Sequence, residues 1–425
     1  MAVDRLGGHR RRESGGDRHR HDGPPPLRRR RSGGQARLSD QRPGRQQAGG
    51  RAAKPHRPDG RAVDESHHPH HRRHRGVGRR HRVLRDGAVM AKPVAVALLA
   101  LAALGFAIAL AASIGEMTIP LEIIVKTVGN RLFGTTFPLN RIQEGVVWDY
   151  RLSRALVAAC CGGALAVSGV ILQALLRNPL AEPYVLGISA GASTGAVLVM
   201  IAGIGGGALS LSGGAFLGAV AAIALVGLLA MGSGGGSDRV LLAGVAGSQL
   251  FNAMTSYIVT TSANAEQARG VLFWLLGNLG GVRWPDVGLA APVALGGFVV
   301  AMLHARALDA FAFGADAAAS LGVPVRRVRL VLFALTAAMT AAMVGIVGSI
   351  GFVGLVIPHA ARFLVGQGHA RLLPAALMIG AVFLVLADIL SRILVAQQVL
   401  PVGVVTALFG APAFAVILYR ARRPL

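Results

Sequence analysis

YRLSRALVAACCGGALAVSGVILQALLRNPLAEPYVLGISAGASTGAV, running from Tyr150 to Val197, decides the fold of this chain. Two apolar segments rich in Ala, Gly and Ser flank the polar hinge Arg177-Asn178-Pro179-Leu180-Ala181-Glu182-Pro183. Its two prolines lack the N–H a helix interior needs and push the preceding residue out of the helical region, so the hinge interrupts the helix. The stretch therefore predicts two membrane helices joined by a tight turn. In the second segment Gly187, Gly191 and Gly195 fall four apart. They share one helix face on which another backbone can approach closely, and such a face packs against protein rather than lipid.

Upstream, Pro93 to Ile114 carries no charge over about 22 residues, enough to cross a ~30 Å hydrocarbon core. Residues 115–150 are mixed and polar, and predict an external segment with a short interfacial helix. Downstream, apolar spans fall near 208–231, 240–261, 286–305, 328–347, 351–365, 372–396 and 402–419. The pattern predicts an all-α polytopic membrane protein of about ten transmembrane helices, with 351–365 short enough to be tilted or broken where backbone lines a cavity. Arg177, Arg239, Arg326, Arg327, Arg329, Arg362, Arg371, Arg420, Arg422 and Arg423 fall on one side when the first helix starts in the cytoplasm, which places both termini inside. The other side carries Arg131, Arg141, Arg151 and Arg154, offset by Glu116, Glu122, Glu144 and Asp149. The run RLSR at 151–154 is echoed by RRVR at 326–329, each opening a small-residue helix, which raises an inverted repeat.

The formal charge of +24 contrasts with 53% hydrophobic residues, and its distribution explains the contrast. Residues 1–89 hold 24 Lys and Arg against nine Asp and Glu, with no Phe, Trp, Tyr, Ile or Cys, so this basic arm cannot build a core. It lacks the interleaved aromatics of a nucleic-acid module and the amphipathic, serine-rich character of a transit peptide. Met90-Ala91-Lys92 followed by an apolar run is a natural beginning for a membrane chain. We therefore expect 1–89 to be sequence upstream of the true start, and 90–425 to be the functional domain. Cys160 and Cys161 are adjacent helical residues that point apart and make no metal site.

The run RLSR…GGALAVSGVILQALLRNPLAEPYVLGISAGAS resembles the FecCD-type permeases of iron-chelate and vitamin B12 ABC importers. GIVGSIGFVGLVIPHAARFLVGQGH (345–369), ADILSR (387–392) and LPVGVVTALFGAPAF (400–414) extend the resemblance over nearly everything after Met90. It implies a permease in the cytoplasmic membrane, dimeric with a second copy or a paralogue, with the path at the dimer interface and a ferric siderophore as cargo. Haem and cobalamin are the alternatives within the family. The partners it implies are an ATP-binding subunit, which would carry the ATP and Mg, an extracytoplasmic substrate-binding protein, and membrane lipid; nucleic acid is not among them. The chain contains no G-x-x-x-x-G-K-[ST] phosphate loop and no H-E-x-x-H, so neither ATP hydrolysis nor zinc-hydrolase chemistry is expected here, and no cofactor is expected on this chain.

Particular residues carry the implied roles. Residues 306–327 are polar relative to their flanks and favour short helices. By resemblance, Phe313, Gly314, Leu321, Gly322, Val323 and Pro324 belong to the loop that docks on the ATPase. Arg151 and Arg154, three apart at a helix start, should share an exposed face. With Arg392 they match basic residues that meet acidic residues of the binding protein, the other reading being lipid-headgroup contact. Val399 stands where the family commonly has Glu. Asn178 and Leu180 match one half of the cytoplasmic gate, with Gly236 and Ser237 opposite. Asp388 is a carboxylate deep in an apolar span; Arg392, one turn on, can neutralise it, which makes it structural. A proton-relay role for Asp388 would instead suit a secondary transporter, the rival from another class, and a membrane anchor for the basic arm is the third reading. His359 is expected to cap or pack.

Overall fold

The computed structural model describes residues 78–421 apart from 116, 205–209, 232–236 and 396–397, with most side chains from residue 95 onward. Nearly all of the basic arm and Gly236, expected above to belong to a gate, thus lie outside the described residues. In chain order the helices are α1 (Gly78–Ser113), α2 (Leu121–Phe133), α3 (Arg141–Gly145), α4 (Ser153–Leu176), α5 (Ile188–Met200), α6 (Leu211–Met231), α7 (Ser237–Ser262) and α8 (Ala265–Leu275). Then follow α9 (Trp284–Leu303), α10 (Ala305–Phe311), α11 (Ala315–Ser320), α12 (Val325–Val347), α13 (Val353–Val365), α14 (His369–Ile393) and α15 (Val402–Ala421). No sheet forms among the described residues beyond a single bridge between Val395 and Gln398.

Among the described residues, six stretches are long and apolar enough to cross a membrane: 95–113, 141–176, 211–229, 284–303, 325–347 and 369–393. Three shorter apolar helices lie at 188–200, 353–365 and 402–417, and α7 supplies a tenth segment. The expectation of an all-α polytopic protein therefore holds. The sequence drew the boundary before the second span too late. Asn140 caps α3 by accepting from Ile142 N, and the helix then continues through a π-helical turn at Val146–Leu152 into α4. The amphipathic α2 is the short helix anticipated between the first two spans.

α4 occupies the middle of the bundle, buried along nearly its whole length, with α9, α12, α13 and α14 around it. Its small residues make this possible. A Cβ on Gly162 would lie 2.1 Å from the carbonyl oxygen of Gly380, so the backbones of α4 and α14 touch where they cross. The same device joins α5 to α6, where Cβ atoms on Gly191 and Gly195 would lie 2.4 Å and 2.1 Å from the carbonyl oxygens of Gly218 and Gly214. Gly187 does not share that face: at φ 76° it ends the 3-10 turn Pro183–Leu186 before α5 begins.

A long helix, a break and a 13-residue helix occur twice, as α4 with α5 and as α12 with α13. The two breaks meet inside the bundle. Ile350 N donates to Tyr184 Oη at 2.9 Å, Phe352 N donates to Glu182 Oε1 at 2.8 Å, and Ser189 Oγ donates to Ser349 Oγ at 2.9 Å. Non-helical backbone within an apolar bundle needs such partners, because water is not there to supply them.

Candidate functional site

The predicted docking arginines do come together, but not on an exposed face. Arg151, only 8% exposed, donates to the carbonyls of Ala112 and Ser113 at the end of α1 and to that of Met117 in the segment after it. Arg392 donates to Ala111 O at 3.0 Å and Ile114 O at 2.9 Å. Together they satisfy carbonyls that the last turn of a helix leaves unpaired, with the cation placed where the helix dipole favours it. Arg154 points elsewhere, forming an ion pair of 2.7 Å with Asp388, whose other oxygen lies 3.1 Å from Arg392. The expectation that Arg151 and Arg154 line one exposed surface is therefore corrected. The π-helical turn ending at Leu152 alters the angular spacing, and each arginine finds an acceptor inside the bundle. Asp388, with 1% of its side chain exposed between two guanidinium groups, is the structural anion the sequence reading favoured.

The opposite end of α14 meets the loop expected to couple to an ATPase. α10 and α11 are the short helices that its composition predicts. Gly314, at φ 105°, separates them. Gly322 N donates to Ala319 O and Val323 N to Ala318 O, the paired bonds that close a helix on a left-handed residue, with Gly322 at φ 82° and Pro324 then capping α12. Phe313 and Leu321 stand 78% and 70% exposed beside these turns, while Phe311 is buried with the Arg329 guanidinium 5.7 Å above its ring.

At the hinge, Arg177 caps α4 in the left-handed region, and the Asn178 side chain accepts from Leu180 N at 2.8 Å. That bond fixes the turn, leaving Leu180 48% exposed at its tip. Of the other two residues expected to form a gate, Ser237 opens α7 and Gly236 lies outside the described residues. His359 packs as expected, its Nδ1 against Leu355 O and its ring edge-on to Phe414.

A cleft of about 450 Å³ opens beside the second break, lined by Leu275, Leu276, Ser349, Phe352, Gly403 and Leu408. Its walls are tied together by backbone: Asn278 N donates to Val347 O, Val402 N to Gly277 O and Gly403 N to Leu276 O. The sequence reading passed over Glu182 and Tyr184, which hold this break in place. The signal was present in a lone carboxylate between two prolines. Burial pushes the Glu182 carboxyl up to about 7, against a smaller opposing effect of the bond from Phe352 N. The phenol of Tyr184 is raised as well, chiefly by burial.

Comparison with known proteins bears on what this arrangement does. The model of the FecCD transport family matches residues 101–420. The hemin transport system permease protein HmuU of Yersinia pestis is 39% identical over 282 residues, covering 65% of this chain and 84% of its own. The vitamin B12 import system permease protein BtuC of Citrobacter koseri is 38% identical over 286 residues, covering 66% and 84%. A solved structure described as a metal-chelate type ABC transporter in an inward-facing conformation superimposes with a TM-score of 0.67 at 29% identity, over 76% of this chain and 99% of its own. The chain belongs to the FecCD transport family and is a multi-pass membrane permease of an ABC importer.

Proposed function

We propose that the chain carries an iron chelate, a ferric siderophore, across the cytoplasmic membrane as half of a dimeric permease with both termini inside. An extracytoplasmic binding protein delivers the chelate at the end that holds Arg151, Arg154 and Arg392. A separate subunit binds ATP and Mg, docks on α10 and α11, and supplies the energy; no cofactor resides on this chain. The observation that carries the reading is the two-ended construction of α14. Its 25 residues, about 37 Å of helix at 1.5 Å per residue, start at α10 and reach the arginine cluster at the end of α1. The names of relatives support a large organic chelate as cargo, with haem and vitamin B12 as the other members of that class. Asn178 and Leu180, with Gly236 and Ser237, are proposed to form the cytoplasmic gate.

Phe313 and Leu321 test the docking element. They are exposed apolar side chains of the kind that anchor protein interfaces. Phe313→Glu combined with Leu321→Glu should abolish co-purification of the ATP-binding subunit and leave the thermal unfolding of the permease unchanged. Undiminished co-purification would place the docking surface elsewhere.

A further inference from the structure

α14 begins without a side-chain cap of its own, since Gly368 stands at its N-cap. The cap comes from α10: Asp309 Oδ1 accepts from His369 N at 2.9 Å and from His369 Nδ1 at 2.7 Å. A carboxylate only accepts, so the imidazole proton sits on Nδ1. The side chain is 7% exposed and its Nε2 is buried with no partner among the described residues, so one hydrogen bond and packing orient it. A Ser or Asn at 368 would cap the helix locally. An acid sixty positions away caps it only by fastening two elements together.

Beyond this junction Pro374 sets off the first turn, and the helix is then free of proline to Ile393. It crosses α4 backbone to backbone at Gly162 and Gly380, and ends among Asp388, Arg154 and Arg392. We infer that Asp309 and His369 are positioning residues that fasten the coupling element to α14, and that α14 carries that element's movement past the Gly162 and Gly380 crossing to the arginine cluster. The inference rests on the reading of α10 and α11 as the ATPase dock.

The test uses the complete complex with its ATP-binding subunit in lipid nanodiscs. A fluorophore sits on Leu394→Cys, 48% exposed beside Arg392, with Cys160→Ala and Cys161→Ala removing the native thiols. MgATP with vanadate is the probe. In Asp309→Ala and His369→Ala, the ATP-binding subunit should still co-purify and the vanadate-induced fluorescence shift should fall about five- to tenfold. His369→Asn, whose amide nitrogen can replace Nδ1 as donor, should restore the shift to within about twofold of the wild type. A full shift in the alanine variants, or an asparagine variant no better than alanine, overturns the inference. Hydrogen exchange in the wild-type complex keeps the test independent of variants that do not assemble: amides 370–372 should change protection with vanadate, and unchanged protection there also overturns it. A wild-type complex that binds no ATP-binding subunit would instead overturn the docking reading, and this inference with it.

Discussion

Asp388 illustrates how much one residue decides. Buried between Arg154 and Arg392, it balances charges that would otherwise sit uncompensated in an apolar bundle, and removing one partner of such a group costs about 3–5 kcal/mol. Asp388→Asn should lower the thermal unfolding temperature of the detergent-solubilised permease. Uptake by whatever protein assembles should stay insensitive to collapse of the proton gradient; a gradient-dependent uptake lost in this variant would favour the secondary transporter. Glu182 makes a pH prediction. Its carboxyl is raised from the usual 4.5 to about 7, so the folded state holds a proton that the unfolded chain releases. The resulting stabilisation is complete below about pH 4.5 and is lost as pH rises to about 7. Glu182→Gln keeps the acceptor for Phe352 N and should flatten the stability profile over that interval; an unchanged slope would show that another group titrates. The partnership of Asp388 with Arg392 was legible because four residues separate them on one helix. That with Arg154 was not, because the two are 234 positions apart and only the packing of α4 on α14 brings them together.

The elements were read well where hydrophobicity carried the signal and less well where backbone carried it. Every long apolar helix was expected, as was the shortness of 351–365. The 11-residue α8 was missed, although Asn264 and Gln267 form a reciprocal capping box that marks its start. The continuous helix through residues 141–152 was hidden by its charges and by the π-helical turn. Glycine spacing, in contrast, foretold a close crossing for α5. Gly195→Leu should destabilise the bundle by on the order of 3 kcal/mol, read as a lower unfolding temperature and poor membrane yield. Normal yield and melting would mean that α5 and α6 separate at little cost. Gly322→Pro addresses the proposed coupling element: proline fixes φ near −65° where Gly322 sits at 82°, and it removes the N–H that bonds Ala319 O. The variant should insert in the membrane and lose the stimulation of its ATPase partner, measured as MgATP hydrolysis with loaded binding protein. Full stimulation would show that the turn after α11 can change shape without consequence.

In the proposed function, arrival of a chelate at one end of the bundle and ATP hydrolysis at the other are joined through α14, one helix that runs from α10 to the arginine cluster. The class of machine was legible because long motifs occur in family order across residues 101–420. The interior placement of the arginines was not, because three-residue spacing defines a face only on an undistorted helix, and spacing says nothing about what covers that face. ATP-driven import of an iron chelate can be read directly as uptake of a radiolabelled ferric siderophore into proteoliposomes holding the permease with its ATP-binding subunit, given loaded binding protein outside and MgATP inside. The proposed function predicts uptake that requires ATP, stops with vanadate, and continues when the proton gradient is dissipated. Uptake that proceeds without ATP and collapses with the gradient would contradict it.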